Sequence, residues 1–336
     1  MPSGPVDRGR LVTADVIDGR AYAADLRSRL AAEVHELAAQ GVRPGLATVI
    51  AGDSYPAHAY ERRVRRLAEG LGCHYASEAL PADVTEADAV AAVGKLGADP
   101  RISGILVLRP LPPQVAEATL YRALDPLKDI ESVHPVNAGL LALERPRFVP
   151  STPASVFHLL DRYLEESGHD VQAFYRRSNV VIVGRSANVG KPAAMLAMQR
   201  GATVVSCDVH SARAGLLPGH VAAADVLVVA AGVPGLVRGE HVKDGVIAVD
   251  VGINAVTDPG TGEVRLVGDL DHDGVAARAA AVTPVPGGVG PVTYTWLLRN
   301  TVRAARVAAG MARVRPWTEG LVQQNHGSDL LSPIGI

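Results

Sequence analysis

The stretch NVVIVGRSANVGKP, residues 179–192, decides the fold. It begins with an apolar, β-branched run (180–183), which is typical of a strand buried on both faces of a parallel sheet. Gly184 ends the run, Gly190 follows, and an apolar helical pattern begins at Ala193. Strand, glycine turn and helix form the unit that places a phosphate at a helix N-terminus. We therefore expect a nucleotide-binding turn, although GxGxxG spacing is absent and a purely structural turn is the alternative.

The next predicted strand, residues 202–207, leads into an acidic residue, Asp208. An acid at this place often accepts the ribose hydroxyls of NAD, whereas a nearby arginine suits the 2′-phosphate of NADP. Arg185 lies in the glycine turn, so the sequence carries both signals. The two residues favour different cofactors, and the sequence leaves both cofactors open.

Strand and helix patterns alternate along most of the chain, which predicts an α/β protein. With 336 residues the chain is long enough for two such domains. Thr152-Pro153 is typical of an N-cap followed by a proline in the first helical position, and we place the domain boundary there. We expect an N-terminal α/β domain (11–150 plus 291–312), a C-terminal Rossmann-like domain with a doubly wound parallel sheet (151–290), and tails at 1–10 and 314–336.

Composition narrows the class of function. The net charge of −2 gives no sign of nucleic-acid binding, and no apolar run reaches membrane-spanning length. The N-terminus has no apolar signal-peptide region, and two distant cysteines fit a reduced compartment. We therefore expect a soluble, cytoplasmic protein without a metal site. A cluster of four arginines, 62–66 without Val64, is interpreted chiefly as a solvated helix face with some attraction for anions.

Two segments are predicted to be functional loops. Residues 128–139, KDIESVHPVNAG, are polar within an otherwise apolar domain, as loops at strand ends often are. Residues 283–291, TPVPGGVGP, contain three glycines and three prolines, which predicts a rigid loop whose backbone approaches a ligand closely. A tight connector is the alternative. A long helix is expected after the loop, from residue 292 to about 309.

Several segments together resemble the methylenetetrahydrofolate dehydrogenase/cyclohydrolase family of one-carbon metabolism. The likeness covers about residues 12–312. It is carried by GRSANVGKP (184–192), VDVGIN (249–254), VGDLD (267–271) and TPVPGGVGPVT (283–293), and GILVLRPLP (104–112) and KDIESVHPVNAG look like the family's strand end and pterin-side loop.

The resemblance implies folate in a cleft between two domains, NADP (in some members NAD) on the C-terminal domain, and a homodimer. Tyr60 and Glu131 are then the expected catalytic residues. Residues implied at the cofactor are Gly184, Arg185, Ser186, Val189, Gly190, Asp208, Gly252 and Ile253. Residues implied at the substrate are Tyr60, Val64, Leu108, Pro110, Glu131, Pro286, Gly287, Gly288 and Val289.

The sequence departs from the family at the positions that matter for hydrolysis. The family's catalytic lysine falls on Val64, its glutamine on Leu108 and its aspartate on Glu131; Asp208 stands where the family usually has histidine. Cyclohydrolysis needs a group that moves protons, and valine and leucine cannot do so. Hydride transfer asks mainly for orientation and a dry site. We therefore expect a methylenetetrahydrofolate dehydrogenase with weak or absent cyclohydrolase activity.

Two other readings of the same residues remain open. One is a repurposed enzyme that delivers a folate's methylene carbon to another acceptor without net redox chemistry, because an apolar pocket excludes water. The other is a non-catalytic folate or dinucleotide binder. The retained 283–293 segment favours catalysis over simple binding.

Overall fold

The structure is a computed structural model, and it describes residues 14–257, 260 and 262–311. The two expected tails therefore lie outside the described residues. The strands of the described chain are β1 (Asp15–Val16), β2 (Gly45–Ala51), β3 (His74–Leu80), β4 (Gly104–Val107), β5 (Asn179–Val183), β6 (Thr203–Cys207), β7 (Val226–Val229), β8 (Ile247–Asp250), β9 (Asn254–Thr257), β10 (Val264–Val267) and β11 (Ala281–Val282).

Helices connect nearly all of these strands, as a doubly wound fold requires. They are α1 (Gly19–Ala39), α2 (Tyr55–Gly70), α3 (Glu86–Ala98), α4 (Glu117–Ala123), α5 (Pro135–Ala142), α6 (Ser151–Glu166), α7 (Val171–Arg176), α8 (Gly190–Gln199), α9 (Val209–Arg213), α10 (Leu217–Ala222), α11 (His272–Ala276) and α12 (Val289–Ala308).

A three-stranded parallel sheet forms the centre of the N-terminal domain, with strand order β3-β2-β4. Every residue of β2 is buried, because helices cover both faces of the sheet. α1, α2 and α12 share one apolar cluster with β2 and β4, which includes Leu30, Val64 and Leu298. The opposite face packs on α3 and α4 through residues such as Val93 and Leu120.

The second sheet is parallel and six-stranded, in the order β1-β11-β8-β7-β5-β6. β5 pairs with β6 on one side and with β7 on the other. The strand order therefore reverses at β5, which makes its carboxyl end the switch point where such sheets bind ligands. The predicted two-domain α/β fold with a doubly wound parallel sheet is confirmed.

Two elements link the domains. β1, at the start of the described chain, pairs with β11 at the edge of the larger sheet. α12, at its end, packs on α1, α2 and β2 of the first domain and also on α6. The predicted residue boundaries of the domains stay a prediction, and the chain crosses between the two sheets at both ends.

Some predicted elements were wrong. The loop expected over 128–139 contains the start of α5, because the His134 side chain accepts a hydrogen bond from the Val136 N–H as an N-cap and Pro135 follows. Thr152 is not an N-cap: α6 begins at Ser151, so Thr152 lies inside its first turn. α7 and the β9–β10 hairpin were not predicted.

Within the part of the chain that the structure describes, no helix combines the length and apolar character needed to cross a membrane. Nor do these residues bring together three or more His, Cys, Asp or Glu side chains in an arrangement that holds a metal ion.

Candidate active site

The glycine turn after β5 lies at the switch point of the larger sheet. Gly184 has a φ of 116°, and a Cβ there would lie 2.1 Å from the carbonyl oxygen of Ala230, which follows β7. A Cβ on Gly190 would lie 2.0 Å from the carbonyl oxygen of Gly184. Both positions need glycine, because the turn, the neighbouring strand end and the first residue of α8 touch backbone to backbone.

The turn presents polar groups at the start of α8. Arg185 and Ser186 are exposed, and Val189 is half-buried. The Ser186 hydroxyl accepts a hydrogen bond from the Gly190 N–H at 3.4 Å, and its carbonyl accepts one from Lys191 N–H at 3.1 Å. A guanidinium, a hydroxyl and a helix N-terminus together fit the phosphates of a dinucleotide.

Arg185 and Asp208 form an ion pair, with 2.9 Å between Nη1 and Oδ2. The Arg185 side chain also donates to the hydroxyl and carbonyl oxygens of Ser206 on β6. The other carboxylate oxygen of Asp208 caps α9 by accepting the N–H groups of His210 and Ser211. The Ser211 hydrogen bond and the Arg185 charge hold the pKa of Asp208 below its usual range.

A pair of buried aspartates supports the segment that contains Gly252 and Ile253. Asp250 accepts the N–H groups of Gly252 and Leu270, and Asp269 accepts those of Ala231 and Gly232. Burial raises the pKa of Asp250 to about 6, although these N–H groups oppose the shift. A Cβ on Gly252 would lie 2.2 Å from an Asp269 carboxylate oxygen. Asp250 of the VDVGIN motif thus binds the backbone of the VGDLD motif, and this hydrogen bond helps to hold the two segments in place.

The glycine-proline loop packs against the start of α1 and the 252–253 segment. A Cβ on Gly19 would lie 1.7 Å from the carbonyl oxygen of Gly288, so α1 and the loop are in direct backbone contact. Gly287 has a φ of 122°, which favours glycine. The Ile253 Cδ1 atom lies 3.8 Å from where a Cβ on Gly290 would be.

The remaining loop residues differ in exposure. Pro286 is exposed, and its carbonyl accepts a hydrogen bond from Arg20 at 3.4 Å. Val289 is buried in the core beneath the larger sheet, so its side chain packs rather than lines an open surface. Pro110, which follows β4, is exposed. The peptide bonds before Pro110 and Pro286 are both cis.

On the N-terminal domain, Tyr60 of α2 is half-buried and packs against Tyr294 of α12, with 4.9 Å between ring centroids. Val64, one helical turn further on, is 0 % exposed. Leu108, directly after β4, is buried in the same apolar cluster. The positions of the family's lysine and glutamine are therefore continuous with the hydrophobic core.

Glu131 lies near the start of the polar segment 128–139, and its side chain contacts the start of α6. Its carboxylate accepts a hydrogen bond from the Ser151 N–H at 3.0 Å. Desolvation raises the pKa of Glu131 to about 7, with a smaller contribution from the charge of Asp129. Burial and the charge of Glu131 raise the pKa of Tyr60 well above its usual range. The two residues predicted to be catalytic are therefore electrostatically coupled.

Sequence reasoning missed four residues that shape these surfaces. Asp250 and Asp269 lie in the quoted motifs, but buried carboxylates have no periodic signal that separates them from exposed ones. Arg20 and Tyr294 belong to long amphipathic helices, and only their proximity to Pro286 and Tyr60 gives them significance.

A glycine turn at the switch point of a parallel sheet, joined to a second α/β domain, defines a two-domain dinucleotide-binding protein. The model of the tetrahydrofolate dehydrogenase/cyclohydrolase catalytic domain matches residues 17–131, and that of the NAD(P)-binding domain matches residues 150–309. The chain therefore belongs to the tetrahydrofolate dehydrogenase/cyclohydrolase family and is an enzyme. The resemblance seen in the sequence is confirmed.

Individual relatives agree with this assignment. The bifunctional protein FolD 3 of Rubrobacter xylanophilus is 63% identical over 303 residues, 90% of this chain and 95% of that protein. The methylenetetrahydrofolate dehydrogenase-cyclohydrolase (FolD) of Trypanosoma brucei, solved with NADP and an inhibitor, has a TM-score of 0.81 at 37% identity, over 88% of this chain and 98% of that one. A methylenetetrahydrofolate dehydrogenase of the silkworm Bombyx mori has a TM-score of 0.77 at 32% identity, over 88% and 99%.

Proposed function

We propose that the protein oxidises 5,10-methylenetetrahydrofolate to 5,10-methenyltetrahydrofolate with NADP, and that it hydrolyses the product weakly or not at all. The observation that carries this proposal is the contrast between the two halves of the site. The glycine turn and the glycine-proline loop are complete, whereas Val64 and Leu108 place buried apolar side chains where the family has a lysine and a glutamine.

Hydride transfer needs orientation more than proton chemistry. When bound, the nicotinamide cofactor would supply the acceptor for a hydride from the methylene carbon, and the lone pair of the adjacent folate nitrogen would stabilise the cation that remains. The chain then has to hold the two reactants face to face and keep water out. The exposed Ile253 side chain lies near Gly290 at the start of α12, and we propose that this region of the glycine-proline loop lines the nicotinamide and substrate site. Tyr60 offers a ring for stacking on the pterin.

Glu131 is the group proposed to hold the pterin. An ionised carboxylate accepts two hydrogen bonds from the aminopyrimidine edge of a pterin, as an aspartate does in the family. Its side chain is one methylene longer, and its position beside the start of α6 is fixed by the Ser151 N–H. This assignment makes Glu131 a binding residue whose ionisation controls affinity for the folate.

Hydrolysis of the methenyl product asks for more. Water must add to the methenyl carbon, and a proton must then reach the departing ring nitrogen. A lysine with a lowered pKa can move that proton, but Val64 has no ionisable group. Arg63 and Arg65 flank Val64 in sequence and are exposed, because a helix turns about 100° per residue and carries them away from the buried face. Guanidinium groups also stay protonated.

NADP is the proposed cofactor because Arg185 and Ser186 are exposed at the glycine turn. A guanidinium at this place suits a 2′-phosphate. The Trypanosoma brucei relative was solved with NADP, which supports the same choice. NAD is the alternative, since Asp208 shares the charge of Arg185.

The deciding experiment supplies methylenetetrahydrofolate with NADP or NAD and follows both the reduced nicotinamide and the methenyl product. We expect reduced NADP to form and methenyltetrahydrofolate to accumulate. The methenyl product should disappear no faster than it hydrolyses spontaneously in the same buffer. A cyclohydrolase rate equal to that of ordinary family members, measured in the same buffer, would refute the proposal that this activity is weak or absent. The Rubrobacter relative, which is named bifunctional, serves as the comparison enzyme.

The buried apolar side chains of Val64 and Leu108 also favour a second candidate, one-carbon transfer without net redox chemistry. A dry pocket protects an electrophilic carbon until another acceptor attacks it. Folded protein that binds folate but reduces neither cofactor would move the assignment to this activity. A new carbon-bearing product with added acceptor would then separate it from a protein that only binds folate.

The proposed assembly is a homodimer, which rests on family resemblance. Light scattering would show it as a mass twice the 35.0 kDa of one chain. The proposed partners are otherwise small molecules, and neither nucleic acid nor a membrane is among them.

A further inference from the structure

Ser132, the residue that follows Glu131, has an unusual backbone conformation. Its φ of 53° lies in the left-handed region, which glycine adopts freely and serine adopts only at a cost. Among the described residues other than glycine, only Glu144 shares a positive φ. Ser132 is also buried, so contact with solvent does not explain a polar residue at this position. A strained backbone beside a candidate site points to a functional reason for the strain.

The Ser132 hydroxyl supplies such a reason. It donates a hydrogen bond to the carbonyl oxygen of Phe148 at 2.6 Å, in a buried environment where water does not replace a lost partner. Glycine would suit the backbone conformation but could not make this bond. With serine, the protein keeps a less favourable backbone conformation and gains a link between the segments 130–132 and 148–151.

Further hydrogen bonds join the same two segments on the other side of Ser132. Asn300 of α12 donates from its side-chain amide to the carbonyl oxygens of Ile130 and Val149, at 2.8 Å in both cases. The Glu131 carboxylate itself accepts the Ser151 N–H at 3.0 Å. Residues 130, 131 and 132 are therefore each tied to the segment that leads into α6, which leaves the backbone around Glu131 little freedom.

The direction of the Glu131 carboxylate decides what it can bind. A carboxylate that accepts two hydrogen bonds from the edge of a planar ring has to lie close to the plane of that ring. Stacking on Tyr60 would fix this plane, so the carboxylate has to match it. Glutamate has one more rotatable bond than aspartate, and more of its freedom must be removed to hold one direction.

We propose that Ser132 is a positioning residue, whose hydroxyl holds the Glu131 segment so that the carboxylate is aimed at the pterin of the folate. This inference rests on the proposed function, because it requires Glu131 to bind the pterin. A purely structural hydroxyl would affect stability alone. A positioning hydroxyl should also affect affinity for the folate, and should leave affinity for the cofactor on the other domain unchanged.

The test compares two serines that make the same kind of hydrogen bond. Ser132→Ala removes the hydroxyl next to Glu131, and Ser178→Ala is the matched control. Ser178 is also buried, and its hydroxyl donates to the Phe174 carbonyl at 2.6 Å. It precedes β5, at the opposite end of that strand from the glycine turn. Ser132→Gly is the second variant, because it lacks the hydroxyl but suits a φ of 53°.

Dissociation constants for tetrahydrofolate and for NADP are measured by titration calorimetry, together with the melting temperature of each variant. We expect both Ser132 variants to bind tetrahydrofolate on the order of fivefold more weakly, and to bind NADP within about twofold of the wild type. In turnover the loss should appear in KM for the folate rather than in kcat. Ser178→Ala should lower the melting temperature but keep the affinity for tetrahydrofolate. Ser132→Gly should melt at a higher temperature than Ser132→Ala.

Unchanged affinity for tetrahydrofolate in both Ser132 variants would overturn this inference and leave the proposed function standing. An equal loss of affinity in Ser178→Ala would do the same, as would wild-type affinity in Ser132→Gly. A wild type that binds no tetrahydrofolate would overturn both proposals. A wild type that binds it but reduces neither cofactor would reject the dehydrogenase alone, and the dissociation constants would still decide the role of Ser132.

Discussion

The guanidinium of Arg185 lies 2.9 Å from the carboxylate of Asp208, so the two residues that separately favour NADP and NAD neutralise each other. The pair joins the turn after β5 to the end of β6, at the edge of the larger sheet. A 2′-phosphate has to share Arg185 with Asp208, which repels it. If the cofactor's ribose binds here, as proposed, this pair rather than either residue alone should set the preference between the two cofactors.

Replacing Asp208 with Asn should increase the preference for NADP. Asparagine caps a helix as well as aspartate does, so α9 should persist while the competing charge disappears. We expect kcat/KM for NADP relative to NAD to rise on the order of tenfold, because the 2′-phosphate then no longer meets a like charge beside Arg185. Arg185→Gln should change the ratio in the opposite direction. An unchanged ratio in both variants would show that the pair does not contact the cofactor.

Placing a lysine at position 64 should destabilise the fold strongly. Val64 is 0 % exposed within an apolar cluster, and an ammonium there loses its hydration without a partner. We expect Val64→Lys to lower the free energy of unfolding by roughly 3 kcal/mol or more in urea titrations, and Val64→Met to lower it by less than about 1.5 kcal/mol.

The loss from Val64→Lys should also depend on pH. Burial lowers the pKa of a lysine, so the unfolded chain binds the proton more tightly than the folded one. Stability of the variant should therefore rise as pH increases toward the ordinary lysine pKa. A stability that does not change with pH would mean that the ammonium reaches water.

Folate binding should follow the ionisation of Glu131. Its pKa is raised to about 7, so the carboxylate forms as pH rises through that value. If the ionised form holds the pterin, KM for the folate should fall across this range. Glu131→Gln should have a higher KM that is nearly independent of pH. A wild-type KM that stays flat between pH 6 and 8, flanking about 7, would remove Glu131 from the substrate site.

The ionisation of Glu131 should also make the stability of the folded protein depend on pH. Since its folded pKa is raised from 4.5 to about 7, the folded state holds the proton more tightly than the unfolded state. Its favourable contribution is complete below about 4.5 and is lost as pH rises through about 7. The melting temperature of Glu131→Gln should therefore fall less than that of the wild type when pH is raised from one end of this window to the other.

A buried ion pair anchors α6 to α8 beneath the larger sheet. Arg200 and Asp161 are 2.6 Å apart, and their side chains are only 5% and 13% exposed. Tyr175 donates a hydrogen bond to the same carboxylate. Asp161→Asn should cost about 3 kcal/mol of unfolding free energy, because it leaves a buried guanidinium without its counter-charge. Breaking the solvent-accessible Arg101–Asp99 pair by Asp99→Asn should cost much less, because water screens an ion pair at the surface.

The pattern of apolar residues was sufficient to predict the fold class, because strands buried in a parallel sheet appear in the sequence as continuous apolar runs. β5 was predicted to within one residue at each end for that reason. α5 was missed because histidine is an uncommon N-cap, so the Pro135 that begins the helix appeared to be part of a loop. The pairing of Arg185 with Asp208 depends on β5 and β6 being neighbours in the sheet, which no local pattern contains.

The candidate site shows the same limit. The absence of a lysine and a glutamine was visible in the sequence, but the complete burial of Val64 was not. The four arginines at 62–66 were interpreted as one solvated face, whereas only Arg63 and Arg66 line a groove between α1, α2 and α12. Arg62 instead lies over the Tyr55 ring. Facing helices, rather than composition, decide which charges act together.

The crossing of the chain between the two sheets has a consequence for anyone who wishes to divide the enzyme. A cut near residue 150 would leave β1 on the N-terminal fragment, which lacks the sheet that β1 completes. The same cut would leave α12 on the C-terminal fragment, without most of its packing partners. Neither piece would be a self-sufficient module. Activity should return only when both pieces are produced together, so that β1 can pair with the larger sheet and α12 can pack on the N-terminal domain.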